Sequence, residues 1–256
     1  KSRVLDYNSG ERKLLPLTIH LYMPSLYPLR MLNDVSIYSG DLIGVVSVYI
    51  YVGVLLIISR KGFKERPFLG RKFLHLMAGN IIFLLPLFET RLAMVLLTAF
   101  PFVILTFMIS PRSPLDIMDP LSERGHGLGL FYYAVAWTIL ASLFFHRAEI
   151  IAIGIAAMSY GDGMAGFIGE KYGKHGYAIR SSNKSLEGSF AMMVTVAVSI
   201  PLILIYFNAT MVPFYVVFMV ALLATTVEAM IAKGYDNLFI ALTTAIIYYI
   251  TVHSVI

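Results

Sequence analysis

Cysteine and glutamine are missing altogether from this 256-residue chain. Without cysteine there is no disulfide and no thiolate chemistry. The lack of both thermolabile residues leans the composition toward a heat-adapted source. Charge is thin as well, at 14% of residues with a net of +5. So modest an excess, carried beside apolar blocks, suits anionic head groups or small anionic substrates and gives no reason to expect a nucleic acid. No apolar stretch of signal-peptide length precedes a small-residue cleavage site, so no cleavable leader is expected. Residue 1 is Lys, so the start is expected to be processed or truncated.

Apolar side chains dominate instead. They make up 58% of the residues, with a mean hydropathy of +0.77. A soluble domain of this length has nowhere to bury so much of them. They fall in blocks of roughly twenty, the length that crosses a hydrocarbon core of about 30 Å. Barrel strands would alternate polar and apolar residues, whereas these blocks are apolar all round. The expected fold is an all-α polytopic integral membrane protein, a bundle of seven or eight transmembrane helices with catalytic loops on the cytoplasmic face. The expected spans are 41–59, 73–88, 92–109, 128–145, 149–168, 189–207 and 212–232, with an eighth from 238 to the end. Residues 1–40, broken by Pro16, Pro24 and Pro28, read as an interfacial or re-entrant segment. Residues 41–256 read as one transmembrane catalytic domain.

Lysine and arginine set the orientation. The loop 60–72 holds Arg60, Lys61, Lys64, Arg66, Arg71 and Lys72. The loop 110–127 holds Arg112 and Arg124, the loop 169–188 holds Lys171, Lys174, Arg180 and Lys184, and the last carries Lys233. Short turns on the other side carry only Arg91 and Arg147. The positive-inside rule therefore places the first, third, fifth and seventh loops in the cytoplasm and both termini outside. Every unusual polar cluster then lies on the cytoplasmic face. A transporter, the reading from a different functional class, would carry ionisable residues at mid-membrane between broken helices.

The polar clusters carry the chemistry. GDGMAG (161–166) matches G-x-G-x-x-G by letter, but no strand precedes it and no βαβ unit surrounds it. GEKYGK (169–174) has one residue too few for a P-loop and no Ser or Thr after the lysine. Ala157, Gly161, Ala165 and Gly169 recur every four residues as a smooth stripe for helix packing. Packing does not explain Asp162, a carboxylate beside Gly161 and Gly163 at the rim of a span. In RSSNKSLEGS (180–189), Ser182 or Asn183 is expected to cap the sixth span. Lys184 and Glu187 are then expected on one face of its first turn, either as a local ion pair or as part of an anion site. Glu187 is then placed to hold a divalent metal bridging the same phosphates. RKFLH (71–75) adds Arg71, Lys72 and His75 as a further phosphate-binding element. Glu228, then Asp236 and Asn237 after the stop at Lys233-Gly234, either complete a metal site or form an ordinary helix end and turn. His126, in ERGHG, reads as solvated.

Four segments, RKFLHLMAG (71–79), SYGDGMAGFIGEKYGKHG (159–176), NKSLEGS (183–189) and VEAMIAKGYDNL (227–238), follow one another in an order that resembles the phytol kinase and dolichol kinase family. The resemblance covers roughly residues 70 to 240. It implies CTP as phosphate donor, Mg²⁺ as cofactor and a long-chain membrane alcohol as acceptor. Mapped onto this chain, Asp162 would hold the metal with Glu187 or Asp236. Lys184, Lys174, Arg71 and Lys72 would bind phosphate, with His75, Gly161, Gly163, Ser185 and Gly188 around them. Asp162 or Glu187 would accept the alcohol's proton. The CTP-phosphatidate cytidylyltransferase family shares the Asp and the Lys-Ser-x-Glu-Gly element. Its usual later Lys-Arg…Lys-Asp and His-Gly-Gly segments do not follow Gly188, so the kinase reading is preferred and cytidylyl transfer stands as the alternative. The resemblance says nothing of oligomeric state.

Overall fold

A computed structural model describes residues 37–113, 128–179, 182–231 and 234–255. The segment before residue 37, Arg124, His126, Arg180 and Lys233 lie outside the described residues.

The first apolar block forms α1 (Ser39–Gly62). It turns a buried row of Gly44, Val48 and Leu55 inward and leaves Leu42, Val46, Ile50, Val54 and Ile57 exposed. Asp41 is fully buried at its start, and the charge is tolerated because it is saturated with donors. Its Oδ1 accepts from the amides of Glu89 and Thr90, each at 2.9 Å. Its Oδ2 accepts from Thr90 Oγ1 at 3.0 Å and the Tyr38 amide at 3.2 Å.

The second block starts as α2 (Pro67–Ala78), with Pro67 at a position where a missing N–H costs nothing. It tightens into a 3₁₀ segment, Gly79–Leu87. The third block opens with a widened π turn, Ala93–Ala99, and continues as α3 (Phe100–Met108). Pro101 accounts for part of this. It cannot donate to the carbonyl four residues back, and Tyr49 Oη donates to that Leu97 carbonyl at 3.1 Å instead. α4 is Gly129–Phe144.

The chain's centre is α5 (Ala148–Ala156), which passes through a second π turn, Ala157–Gly161, into α6 (Asp162–Tyr172). Ile150 through Met158 are essentially without exposure. A helix apolar on all sides belongs in a core or in lipid, and here neighbouring helices surround it. α7 (Leu186–Tyr206), α8 (Phe214–Met230) and α9 (Asp236–Val255) complete the bundle, with α7 against α6 and α8, and α9 against α4, α5 and α8. A two-stranded antiparallel hairpin, β1 (Gly176–Ile179) and β2 (Ser182–Ser185), joins α6 to α7, pairing Tyr177 with Lys184.

Each expected span falls on a helix, so the fold is an all-α membrane bundle bearing one short hairpin. By length and composition α1, α5–α6 and α7 are able to cross a membrane, and Ala93–Met108, α4 and α8 are shorter apolar helices. On α7 the outward row Leu186, Phe190, Val194, Val198 and Leu202 is apolar and exposed, as lipid requires and water does not.

Two local expectations are corrected. Neither Ser182 nor Asn183 caps the sixth span, because both belong to β2. The cap is Ser185, whose side chain accepts from the Gly188 amide at 3.1 Å. Lys184 therefore sits on a strand, outside the helix. Helical spacing does not hold between it and Glu187, and they form no local pair.

Candidate active site

The stripe of small residues brings α6 against α7 at close range. A Cβ on Gly161 would stand 2.9 Å from Val196 Cγ2, and one on Gly188 would stand 2.8 Å from the Ala165 carbonyl. Gly169 meets Ser185 Oγ in the same way, at 3.0 Å. Close packing here has a consequence for the polar residues. With the hairpin folded over, it leaves a cavity of about 580 Å³ where α2, α4, α7 and α9 begin and α8 ends.

Arg71, Lys72, His75, Asp162, Gly163, Lys184, Ser185, Gly188, Glu228, Asp236 and Asn237 all line this cavity. Gly161, Lys174 and Glu187 do not line it. Gly161 is spent on packing, and Lys174 is exposed between α6 and β1. Glu187 turns to the other side of α6 and α7, where its Oε1 lies 2.7 Å from His175 Nδ1 at the mouth of an open apolar groove. Both its oxygens also stand 3.3 Å from the His175 amide. Glu187 thus ties the hairpin's approach to α7. Glu187→Gln should loosen residues 173–179 and raise their protease sensitivity. It should reduce turnover far less than a change at Asp162, and a comparison of limited proteolysis with activity checks this.

Asp162 opens α6 directly after the π turn. Its Oδ2 lies 3.6 Å from His75 Nε2, which is itself 3.0 Å from the Met158 carbonyl. A carbonyl only accepts, so His75 carries a proton on Nε2 and presents it toward both oxygens. His75 is thereby a neighbour that orients Asp162, and its Nε2 is not spare for phosphate. Beneath them Tyr133 Oη and Ser159 Oγ share a 2.8 Å hydrogen bond, and Tyr160 Oη donates to Asn80 Oδ1 at 2.6 Å. Single-turn π segments often occur at functional sites, and this one aims the chain's unusual carboxylate into the cavity.

On the basic side Lys72 pairs with Glu170 and donates to the Gly166 carbonyl at 3.4 Å. Burial pushes the Arg71 guanidinium down from its ordinary value, and the Asp236 carboxylate acts against that shift. Lys184 forms a buried pair with Glu228 and donates to the Glu228 carbonyl at 2.9 Å. Asp236 Oδ1 accepts from the amides of Gly234 and Asn237 at 3.1 and 3.0 Å, fixing the start of α9. Gly234, at φ 100°, makes the left-handed turn that lets α9 begin there. Asn237 Nδ2 donates to the Gly129 carbonyl at 2.8 Å and ties α9 to α4. Two of the first amides of α7 are already used, Leu186 N on the His175 carbonyl and Gly188 N on Ser185 Oγ.

Sequence reasoning missed Glu170, which lies about one turn beyond Gly166 on the cavity side of α6. Its partner Lys72 is far away in the chain, and no local spacing announces the pair. The lining sets three cations, Arg71, Lys72 and Lys184, against four carboxylates, Asp162, Glu170, Glu228 and Asp236. A polyphosphate alone would meet no net attraction there. Hard oxygen donors in that number fit a Mg²⁺ ion held by one or two carboxylates and completed by phosphate oxygens. Among the described residues no group of three or more His, Asp or Glu is already gathered as a metal site, so phosphate oxygens and water would supply the remaining ligands.

A phytol kinase from Synechocystis sp. is 31% identical over 181 residues, covering 69% of this chain and 76% of the relative. The chain belongs to the phytol kinase and dolichol kinase family. A probable phytol kinase 1, chloroplastic, from Glycine max is 31% identical over 137 residues, 49% of this chain and 45% of the relative. A dolichol kinase from Schizosaccharomyces pombe is 29% identical over 98 residues, 38% of this chain and 19% of that larger protein. No family model and no solved structure matches. The family's named members are kinases, and kinase chemistry asks of a site what this cavity offers: cations and carboxylates together, beside an apolar bundle.

Proposed function

We propose that this family member is a CTP-dependent kinase that phosphorylates the hydroxyl of a membrane isoprenoid alcohol and releases CDP. The single observation that supports it best is the grouping of Arg71, Lys72, Asp162 and Asp236, on helices, and Lys184, on the hairpin, around one cavity of a bundle whose outer faces are apolar. A lipid alcohol approaching along those faces and a nucleotide from water have this cavity as a meeting place.

Phosphoryl transfer asks mainly for positioning and charge stabilisation. Arg71, Lys72 and Lys184 bind phosphate oxygens and spread the charge that develops on the transferring group. Asp162 and Asp236 would hold Mg²⁺, with Asp162 oriented by His75 and Asp236 by the start of α9. When bound, the ion would neutralise phosphate charge. Glu187 has no part in this revised site.

The test is transfer from labelled CTP to phytol, geranylgeraniol, dolichol and diacylglycerol, with ATP as competing donor. The expected result is a lipid monophosphate and CDP, dependent on Mg²⁺, with CTP preferred. Pyrophosphate and a CDP-lipid would instead establish cytidylyl transfer, and no turnover with any alcohol would leave a binding or transport role.

The active face is proposed to be cytoplasmic. The absence of native cysteine makes a clean test. Cysteines introduced at Lys64 and Lys174 should react with an impermeant reagent only from the cytosolic side, and one at Ala209 only from the opposite side. The reverse pattern would move the cavity to the other face.

A further inference from the structure

Glu228 is 3% exposed, near the end of α8, and lines the cavity. Its Oε1 is taken by Lys184 Nζ. Its Oε2 is buried and has no hydrogen-bond partner. A carboxylate oxygen in that condition is costly, and an unpartnered buried acceptor on a cavity-lining residue marks a place for a ligand's donor. Lys184 spends two donors on Glu228, the side chain and the main-chain carbonyl, and has a third for a phosphate oxygen. The unpartnered oxygen therefore belongs to the carboxylate that holds the proposed phosphate-binding lysine.

We propose that Glu228 Oε2 accepts the hydroxyl hydrogen of the membrane alcohol and takes its proton during transfer, an inference that rests on the kinase reading above. The donors that a nucleotide and an alcohol can bring are few. The cytosine amine lies at the far end of the nucleotide from the phosphorus under attack. Ribose hydroxyls are closer, but they do not need to be next to the transferring group. Phosphate oxygens are acceptors, and a carboxylate repels them. The alcohol's hydroxyl must lie against the transferring phosphorus, and it donates. In the step, the alcohol oxygen forms a bond to the γ-phosphorus. The bond from that phosphorus to the bridging oxygen breaks, with its electron pair leaving on CDP. The proton passes to Glu228 Oε2 and from there to water. Lys184 holds the carboxylate in place through Oε1, so Glu228 is positioned before the alcohol arrives.

The experiment compares wild type and Glu228→Gln as full-length protein in lipid nanodiscs. It measures CTP binding, turnover with a prenol, and turnover with a fluorinated prenol whose hydroxyl is more acidic. Glu228→Gln should lose about 10²–10⁴-fold in turnover, the usual worth of a general base, while binding CTP as before. The more acidic acceptor should recover part of that loss in the variant and gain little in wild type. Glu228→Asp keeps the charge but withdraws the oxygen, and it should also bind CTP and turn over slowly. It carries the test if Glu228→Gln does not fold. Near-normal turnover overturns the inference. So does loss of turnover in step with loss of CTP binding and with no recovery by the acidic acceptor, since Glu228 would then serve only to hold Lys184. Wild type that transfers nothing from CTP to any alcohol defeats the kinase reading itself, and the inference with it.

Discussion

Asp162→Asn should lower phosphoryl transfer by at least about a hundredfold, the scale for losing one electrostatic contact in a phosphoryl- or acyl-transfer site. The protein should stay folded. Asparagine keeps the shape of the side chain and leaves His75 Nε2 its bond to the Met158 carbonyl. What it loses is the negative charge that a hard cation requires. A purely structural Asp162 predicts a different outcome. The residue would then matter through His75 and the Met158 carbonyl, and its loss would lower the thermal midpoint together with activity. The two outcomes separate when turnover with CTP and a prenol is measured beside ligand-free thermal unfolding. Turnover close to wild type would remove Asp162 from the chemistry and leave the π turn and the small-residue stripe as packing devices. Glu187→Gln serves as an internal comparison, because its carboxylate faces His175 on the other side of the same two helices.

The helices were legible because a bundle in lipid writes itself in long apolar blocks. The outward row from Leu186 to Leu202 and the all-round apolar run from Ile150 to Met158 both leave the same mark, although one faces outward and the other is central. What separates them is the number of neighbouring helices, and a window of one sequence does not contain that. Pro101 foretells the disturbed helix around Leu97. The π turn before Asp162 has no such signal. It sits where Gly79 lets another helix approach so closely that a Cβ would stand 2.7 Å from Ser159 Cβ. The second strand reads as a cap and first turn because it is four residues long and rich in serine and asparagine. Once Lys184 lies on a strand, the three-residue spacing to Glu187 loses its meaning. Lys184 reaches Glu228, and Glu187 reaches His175. Ion pairs between distant residues, such as Lys72 with Glu170, leave no periodicity at all. Motif order grouped the candidate residues, and only the packing of α6 on α7 divides them between the cavity and the apolar groove.

The buried pair of Lys184 and Glu228 gives a prediction in which stability and function part company. Lys184→Met should destabilise the protein by about 3–5 kcal/mol, the usual cost of stranding one partner of a buried pair. The side chains are only 11% and 4% exposed, so water cannot take over the lost contact. Glu228 would then have neither oxygen satisfied, since Oε2 already lacks a partner. The effect should appear as a clear fall in thermal midpoint in detergent, accompanied by loss of turnover. Those two losses alone do not distinguish a phosphate-binding lysine from a structural one. The double variant Lys184→Met with Glu228→Leu does, because replacing both charges by apolar side chains removes the stranded carboxylate and often restores stability. If both residues serve the chemistry, the double variant should regain much of its thermal midpoint and none of its turnover. A double variant that regains turnover as well would show that the pair only holds α8 to the hairpin. A Lys184→Met protein as stable as wild type would mean that the pair does not carry the end of α8, and that Lys184 was held in place by its ligand alone.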